Sequence, residues 1–484
     1  MESYSSKRIS KDLLWYMAGS LVPIITLLFR SPIYTRVFSP EEYGKYTLVY
    51  LVFTYLSAVI FEWIRVVVWR YYLKYEKRGL LLRFWRSISL MIYTSIVIVI
   101  VSTLIWWWNT EDVVTQKLIL FGAWHTITLE LYICLLIVYR IKGKSSFYNI
   151  YNSFRIGISF IFLLWLTFIR DFGIEAFFLS SAIFNTIFLL PLIWKSSLQY
   201  IPSVKWVNVN DLKRFFNYGL SGGITTLITF FLVSGDRWVI NHFWGLGKTG
   251  IYNQVFALAQ MSIVNVITIV QASLNPYLFT NLEKKGAFMD HYLAAGFKWF
   301  VIIITPLVFY ITLFSFSIGM ILLGPDFRVA WHLIPIVAWA FYFDGAANFS
   351  SLKLRFSNRL KLIVGVVAAV TVINFSLNIL LVPLVGYNIA ALTTLISYII
   401  MFMWYYFSAR SNFITNGGNG KLILKITAVL LSQLIIHLLL DLFIYESIEI
   451  WQAIVEGLIF ASLYFIVFKK TFKNMINGLE NYKK

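Results

Sequence analysis

About fourteen apolar runs, each close to twenty residues long, follow one another along this chain with only short polar gaps between them. A run of that length crosses a roughly 30 Å hydrocarbon core as a helix. The spacing predicts helices at 12–35, 46–68, 87–108, 117–139, 153–170, 174–194, 215–237, 249–275, 294–317, 328–350, 360–381, 386–408, 421–441 and 447–468. The expected fold class is therefore all-α, a polytopic membrane helix bundle. Composition agrees: 59% of residues are hydrophobic and 13% charged, whereas soluble domains carry about a quarter charged residues. The excess apolar surface has to face lipid.

A net charge of +19 raises the question of nucleic acid. A nucleic-acid footprint clusters on one face or in a tail. Here the basic residues fill every second gap instead, as topology requires, because positive charge is retained in the cytoplasm. The gap after helix 2 holds Arg70, Lys74, Lys77, Arg78, Arg83 and Arg86, and that after helix 4 holds Arg140, Lys142, Lys144 and Arg155. The opposite gaps hold only Arg36, Lys45, Lys117, Arg170, Arg237, Lys248 and Arg328. The reading is a multi-pass protein with both termini cytoplasmic and no nucleic-acid partner. The first apolar run is too long for a cleaved signal and is expected to stay as helix 1.

Cys134 is the single cysteine and the five histidines are scattered, so neither a disulfide framework nor a metal site is expected. No gap is long enough to fold alone. Binding must use the helices and their ends.

An internal repeat is visible. Gly44-Lys45-Tyr46 is echoed by Gly250-Ile251-Tyr252 at an offset of 206, and Ala123-Trp124-His125 by Ala330-Trp331-His332 at 207. Six helices separate the copies, an even number, so the repeats are parallel and related by an axis along the membrane normal. The expected organisation is an N-lobe over 1–200 (helices 1–6), a C-lobe over 201–410 (helices 7–12), and helices 13–14 with a cytoplasmic tail over 411–484.

Ionisable residues inside the bilayer cost roughly 2.5–3.5 kcal/mol each on an insertion scale, so each asks for a reason. Arg30 falls near the outer end of helix 1, Glu62 and Arg65 in the inner half of helix 2, His125 and Glu130 near the middle of helix 4, and Asp344 in the inner half of helix 10. Asp236-Arg237 end helix 7 at the outer interface. Polar stripes accompany them: Ser20, Thr26 and Arg30 on helix 1, Thr54, Glu62 and Arg65 on helix 2, Thr225, Thr229 and Asp236 on helix 7, Gln254, Asn265 and Thr268 on helix 8. Such stripes are either polar glue between packed helices or the walls of a hydrated cavity. Their presence on the repeat mates 1, 2, 7 and 8 favours a shared cavity between two lobes.

Three segments resemble one family. Arg36-Val-Phe-Ser-Pro-Glu-Glu-Tyr-Gly44-Lys-Tyr46 looks like the helix 1–2 junction of the oligosaccharide-lipid flippases, which belong to the multidrug/oligosaccharidyl-lipid/polysaccharide exporter superfamily. Asp236-Arg237 followed by Gly250-Ile-Tyr252 is similar to the helix 7–8 junction. Asn374-Phe-Ser-Leu-Asn378 through Pro383, with Ala390-Ala391-Leu-Thr-Thr394, resembles the helix 11–12 pattern. Glu62-Trp63 departs from the family, where a glycine is common.

The resemblance implies export of a polyprenyl-diphosphate-linked oligosaccharide across the bacterial cytoplasmic membrane by alternating access, without catalytic residues or a cofactor beyond a coupling H⁺ or Na⁺. The implied partners are that lipid-linked oligosaccharide, membrane lipids, and a polysaccharide polymerase and chain-length regulator. Arg30, Glu62, Arg65, Arg70, Thr225, Asp236 and Asn265 are the candidate substrate-binding residues, and Glu130, His125 and Asp344 the candidate coupling residues. Arg65, Arg70, Arg86, Arg140 and Arg155 are expected near the inner leaflet, where an anionic diphosphate is collected. Two other classes compete. A cation-coupled multidrug exporter of the same fold needs a cavity dominated by carboxylates. A membrane glycosyltransferase or polymerase needs an acidic pair such as Glu41-Glu42, which the turn before Gly44 explains instead.

Overall fold

The computed structural model describes residues 22–195 (except 24 and 27), 207–282, 288–410, 419–443 and 450–481. Among them every regular element is helical, as a chain in lipid requires if each backbone N–H and C=O is to find a partner within its own segment. In chain order the helices are α1 (22–34), α2 Pro40–Ile60, α3 Glu62–Lys77, α4 Leu81–Trp108, α5 Val113–Ile141, α6 Ser145–Ile169, α7 Ala176–Lys195, α8 Val209–Ser234, α9 Asp236–Leu282, α10 Phe288–Leu313, α11 Ser315–Leu322, α12 Leu333–Phe356, α13 Leu360–Val385, α14 Ile389–Ser408, α15 Asn419–Phe443 and α16 Ile450–Asn481. Ten stretches among them are long and apolar enough to span a membrane, and the bent pair α2–α3 makes an eleventh. Apolar side chains face outward, as with Trp108, Leu384, Leu424 and Leu458, while Asn185, Asn374, Asn378 and Ser397 are fully buried. That inverted distribution is the mark of a bundle solvated by lipid.

Long spans break where backbone or packing dictates. Ser39 and Glu42 form a capping box that starts α2, so Glu42 serves the turn. The second span bends by 40° at Phe61, between α2 and α3. Gly245, at φ 76°, interrupts α9. Sixteen residues of straight helix would separate Arg237 from Asn253 by about 24 Å. Instead the Arg237 Nε donates to Asn253 Oδ1 at 3.2 Å. The chain therefore reverses at Gly245: Asp236–Trp244 prolong α8, and the rest of α9 runs back.

Helix-to-helix packing repeats. Within the first half α5 packs on α7, α2 on α5, α6 on α7 and α4 on α5; within the second, α12 packs on α14, α9 on α12, α13 on α14 and α10 on α12. These are the same neighbour pairs six spans on, with the bent pair α2–α3 counted as one span, Asp236–Trp244 counted with α8 and the short α11 left out. The boundary expected after residue 200 lies outside the described residues, and that after 410 adjoins residues 411–418, also outside them. The Asn374–Thr394 motif is the glue of one such pair. Asn374 Nδ2 donates to Ser397 Oγ at 3.1 Å, and Thr393 Oγ1 donates to Asn378 Oδ1 at 2.9 Å, joining α13 to α14.

Several expectations need correction. The fifth helix begins at Ser145, eight residues before the expected 153, because Asn149 and Ser153 are buried against neighbours and tolerate the membrane side of the gap. Arg155 therefore leaves the cytoplasmic gap and lies well inside α6. Much of the basic gap after helix 2 is helix as well, on α3 and α4. Ala330-Trp331-His332 precede α12, beside the 3-10 turn Pro325–Ala330, and do not begin the helix. Asp236 and Arg237 are 1% and 3% exposed and lie inside the bundle, away from the interface, because the helix continues past them to Trp244.

Candidate functional site: an arginine-lined cavity between the two halves

The two halves meet along α2–α9, α2–α8 and α3–α8. At the outer end, as the charge pattern orients the chain, the contacts are backbone-close. Ser31 Oγ donates to Leu322 O at 3.0 Å, and the Gly324 amide donates to Thr35 Oγ1 at 2.7 Å. Gly44 on α2 abuts the Leu246 carbonyl, and Gly250 abuts Pro40. At the inner end Asp211 of α8 accepts from the Tyr75 hydroxyl at 2.9 Å and from Arg83 Nε at 2.6 Å. At Glu62-Trp63, where the resembled family commonly has glycine, a close approach is supplied from α8: a Cβ on Gly219 would lie 2.5 Å from the Trp63 carbonyl oxygen.

Between these seams lies a cavity of about 520 Å³, bounded by α1, α2, α5, α6, α7, α8 and α9. Three arginines line it, Arg30, Arg155 and Arg237, together with His125, and no carboxylate is among its lining residues. Each guanidinium rests on an aromatic face: Arg30 at 4.1 Å from the Phe177 centroid, Arg155 at 4.9 Å from Tyr132 and Arg237 at 3.9 Å from Phe256. Rings stabilise a desolvated cation without cancelling its charge for a ligand.

Arg155 is aimed by amides. Its Nη1 donates to Asn185 Oδ1 at 2.5 Å and its Nη2 to Asn152 Oδ1 at 3.1 Å. Asn185 Nδ2 stands 3.4 Å from His125 Nδ1, so α5, α6 and α7 share one polar network. Arg30 touches Tyr46 OH at 3.4 Å. Neither Arg30 nor Arg155 has a carboxylate partner among the described residues, whereas Arg237 is paired with Asp236 at 2.6 Å. Asp236 also accepts from the Tyr252 hydroxyl, which lashes the two arms of α9 together across Gly245.

Of the residues singled out from sequence, Arg30 and His125 line the cavity, with Thr26, Thr54 and Gln254 from the stripes. Asp236 is the buried partner of a lining arginine. Arg70 lies over the Tyr218 ring at 5.7 Å, towards the inner end. Thr225, Asn265 and Asp344 are half-buried and outside the lining, and Asp344 makes no ion pair among the described residues. Arg65, Glu62 and Glu130 form a separate cluster. Arg65 bonds Glu62 one turn away and reaches Glu130 Oε2 at 3.4 Å, and Ser57 Oγ donates to Glu130 Oε1 at 2.6 Å. Glu130, expected to face the cavity, is 6% exposed and packs beside it. It fastens α5 to both sides of the Phe61 break, to α2 through Ser57 and to α3 through Arg65. Arg155 and Arg237 were missed as cavity residues because both had been assigned to gaps between helices.

Solved structures share this architecture. The lipid II flippase MurJ in an inward closed conformation matches with a TM-score of 0.74 at 17% identity, over 95% of this chain and 100% of its own. An outward-facing multidrug resistance MATE family transporter of the MOP superfamily matches at 0.60 and 14% identity, over 84% and 96%. A MOP superfamily transporter from Pyrococcus furiosus matches at 0.56 and 13%, again over 84% and 96%. At these identities the likeness is one of fold. No curated protein matches by sequence. A family model described as polysaccharide biosynthesis protein covers residues 33–332, from the end of α1 through the seam and the cavity helices to the turn before α12, and the chain is a member of that family.

Proposed function

We propose that this protein is a flippase that moves a polyprenyl-diphosphate-linked oligosaccharide across the bacterial cytoplasmic membrane, with both termini cytoplasmic. One observation carries the reading: an intramembrane cavity with three arginines on its wall and no carboxylate. A diphosphate is the anion that suits two guanidiniums with no carboxylate partner among the described residues, since charge-assisted hydrogen bonds from planar donors fit phosphate oxygens. The neighbouring tyrosine, serine and amide groups suit a sugar. Membership of a polysaccharide biosynthesis family and a fold shared with a lipid II flippase support it. A multidrug exporter of the same fold would need carboxylates facing its cationic cargo, and this wall offers none.

Transport follows from opening one seam while the other holds, the two halves rocking about the central site. Coupling to H⁺ or Na⁺ falls to Glu130. Two carboxylates, Glu62 and Glu130, share the single guanidinium of Arg65. The cluster holds one negative charge more than it balances, which a proton or Na⁺ on Glu130 would remove. Removing it frees α3, whose inner end carries the Tyr75–Asp211 contact. The reading is tested by export of the lipid-linked oligosaccharide in cells lacking the native copy. The Arg30→Ala and Arg155→Ala variants should reach the membrane and accumulate the substrate on its inner leaflet. Full complementation by the double variant would overturn it.

A further inference from the structure

The helices that carry Arg155 and its ring lead inward from the cavity to a further arginine. A tight turn joins α5 to α6, with Gly143 at φ 74°, and sets Arg140, in the last turn of α5, beside the start of α6. The Arg140 guanidinium lies 5.6 Å from the Tyr148 ring centroid and 5.7 Å from that of Trp69 on α3. Arg140 and Trp69 are exposed, and by the charge pattern this end faces the cytoplasm. The inner surface thus repeats the arrangement of the cavity wall, a guanidinium resting on aromatic faces. The neighbouring cation of the turn, Lys142, is bound to Glu76 at 2.7 Å.

Arg155 stands seven residues beyond Tyr148 on α6, about 10 Å along the axis. Its ring, Tyr132, stands eight residues before Arg140 on α5, about 12 Å away. The two guanidiniums are therefore about two helical turns apart on one pair of helices. Rings fill the interval: Tyr139 on Phe147 at 4.5 Å, Phe147 on Tyr151 at 5.2 Å and Tyr151 on Tyr132 at 6.2 Å. Asn149 lies in the same interval. It is seven and eleven residues before Ile156 and Phe160, which line the cavity, and so shares their face of α6. It is 9% exposed, yet its Nδ2 has no hydrogen-bond partner. A buried donor left unmatched is costly, and an anion moving along this face would satisfy it.

We infer that Arg140, with Trp69 and Tyr148, forms a docking site for the diphosphate of the lipid-linked substrate at the inner surface, from which the anion passes along the Asn149 face of α6 to Arg155. The inference rests on the flippase reading and adds an entry point to it: cargo is taken up on the α3–α5–α6 surface of the first half. On α6 the cavity lining stops at Arg155, so the two sites are separate in this conformation, and the transfer belongs to the opening of the inner seam.

The test uses the full chain in detergent with its lone cysteine removed as Cys134→Ala. Thiol-labelling rates are read at Ser145→Cys, one turn before Tyr148, and at Gln254→Cys in the cavity. The probe is a short-chain polyprenyl diphosphate. At several times its dissociation constant it should slow labelling at both positions at least about threefold. Arg140→Gln should abolish protection at Ser145→Cys and keep it at Gln254→Cys, which also shows that the variant is folded. The Arg30→Ala/Arg155→Ala double variant should do the reverse. Protection at Ser145→Cys that survives Arg140→Gln, or that vanishes in the double variant, would overturn the docking site. Equal protection there by phosphatidylglycerol would also overturn it, leaving Arg140 as an anchor for ordinary anionic lipid. Protection at Gln254→Cys alone would remove this inference and spare the flippase reading, whereas protection at neither position would count against both.

Discussion

Gly44 and Gly250, 206 residues apart and one in each half, hold α2 and α9 at backbone contact: a Cβ built on Gly250 would come within 2.8 Å of the Gly44 nitrogen. The repeat that marks these residues in the sequence is thus also the place where the halves touch.

Widening that contact should open the outer seam. Gly250→Val forces a branched side chain against Pro40 and Gly44, where overpacking costs about 1–3 kcal/mol. Thermal unfolding in detergent should begin at a lower temperature than for the native chain. A cysteine at Gln254 in the cavity should become reactive to an external impermeant reagent. Unchanged labelling would mean that the seam lies elsewhere.

Asn185 holds Arg155 from outside the cavity wall. Asn185→Ala removes the amide oxygen 2.5 Å from the guanidinium and should lower export about tenfold. Asn185→Asp should also depress it, by placing a carboxylate where the anion site has none. Rates equal to the native protein in both would show that Arg155 needs no positioning.

Glu130→Gln keeps a group able to accept the Ser57 hydroxyl and removes the charge that meets Arg65. Export should lose most of its dependence on the ion gradient. Glu130→Ala, which also drops the Ser57 contact, should reduce export and stability together. The measurement is uptake into vesicles with H⁺ and Na⁺ gradients imposed separately, and an unaltered dependence in Glu130→Gln would exclude this residue from coupling.

Asp112 caps α5 in the turn after α4 and accepts from Lys45 at 2.8 Å. The Lys45 hydrogen bond, followed by that of Thr115, holds its carboxyl down to about 2. A depressed carboxylate stabilises above its unfolded pKa and loses that contribution as pH falls through the folded one. The melting difference between the native chain and Asp112→Ala should therefore stay constant from about pH 7 to about pH 5 and vanish towards about pH 2. Asp112 is exposed and Lys45 partly so, and the ion pair should supply less than about 1 kcal/mol of it.

Topology and repeat are open to direct measurement. Reporter fusions after Asn109 should read outside and those after Lys77 and at the C-terminus inside. Superposing residues 22–195 on 207–408 should align each membrane span with the sixth span after it, α2 with the returning arm of α9 and α5 with α12. An external C-terminus would refute the charge reading, and an antiparallel match would refute the parallel repeat.

The bundle was legible because hydropathy and the alternation of basic gaps are local properties, readable residue by residue. The cavity was less so. Arg155 stands ten residues into α6, behind a polar stretch that hydropathy treats as a gap, and only the buried partners Asn149 and Ser153 show that the helix starts earlier. Asp236-Arg237 read as an interfacial pair because the reversal at Gly245, which brings Tyr252 and Asn253 against them, depends on a backbone angle. Glu130 stood out as a lone midplane carboxyl, yet its partners Ser57 and Arg65 lie 73 and 65 positions away on another helix. The contact of His437 on α15 with Glu456 on α16, 2.9 Å between Nδ1 and Oε1, carried no signal, since nothing in their spacing announces that the two helices face each other there.

Among the described residues, the lining guanidiniums without a carboxylate partner, Arg30 and Arg155, belong with His125 to the first half, while Arg237 in the second is matched by Asp236. At the repeat offset of 206 the counterpart of Arg30 is that same aspartate. The two walls of the cavity are therefore unlike in charge. If the cavity takes the anion proposed, the grip belongs to the first half alone, and cargo would ride with it as a passenger while the second slides past as the moving wall.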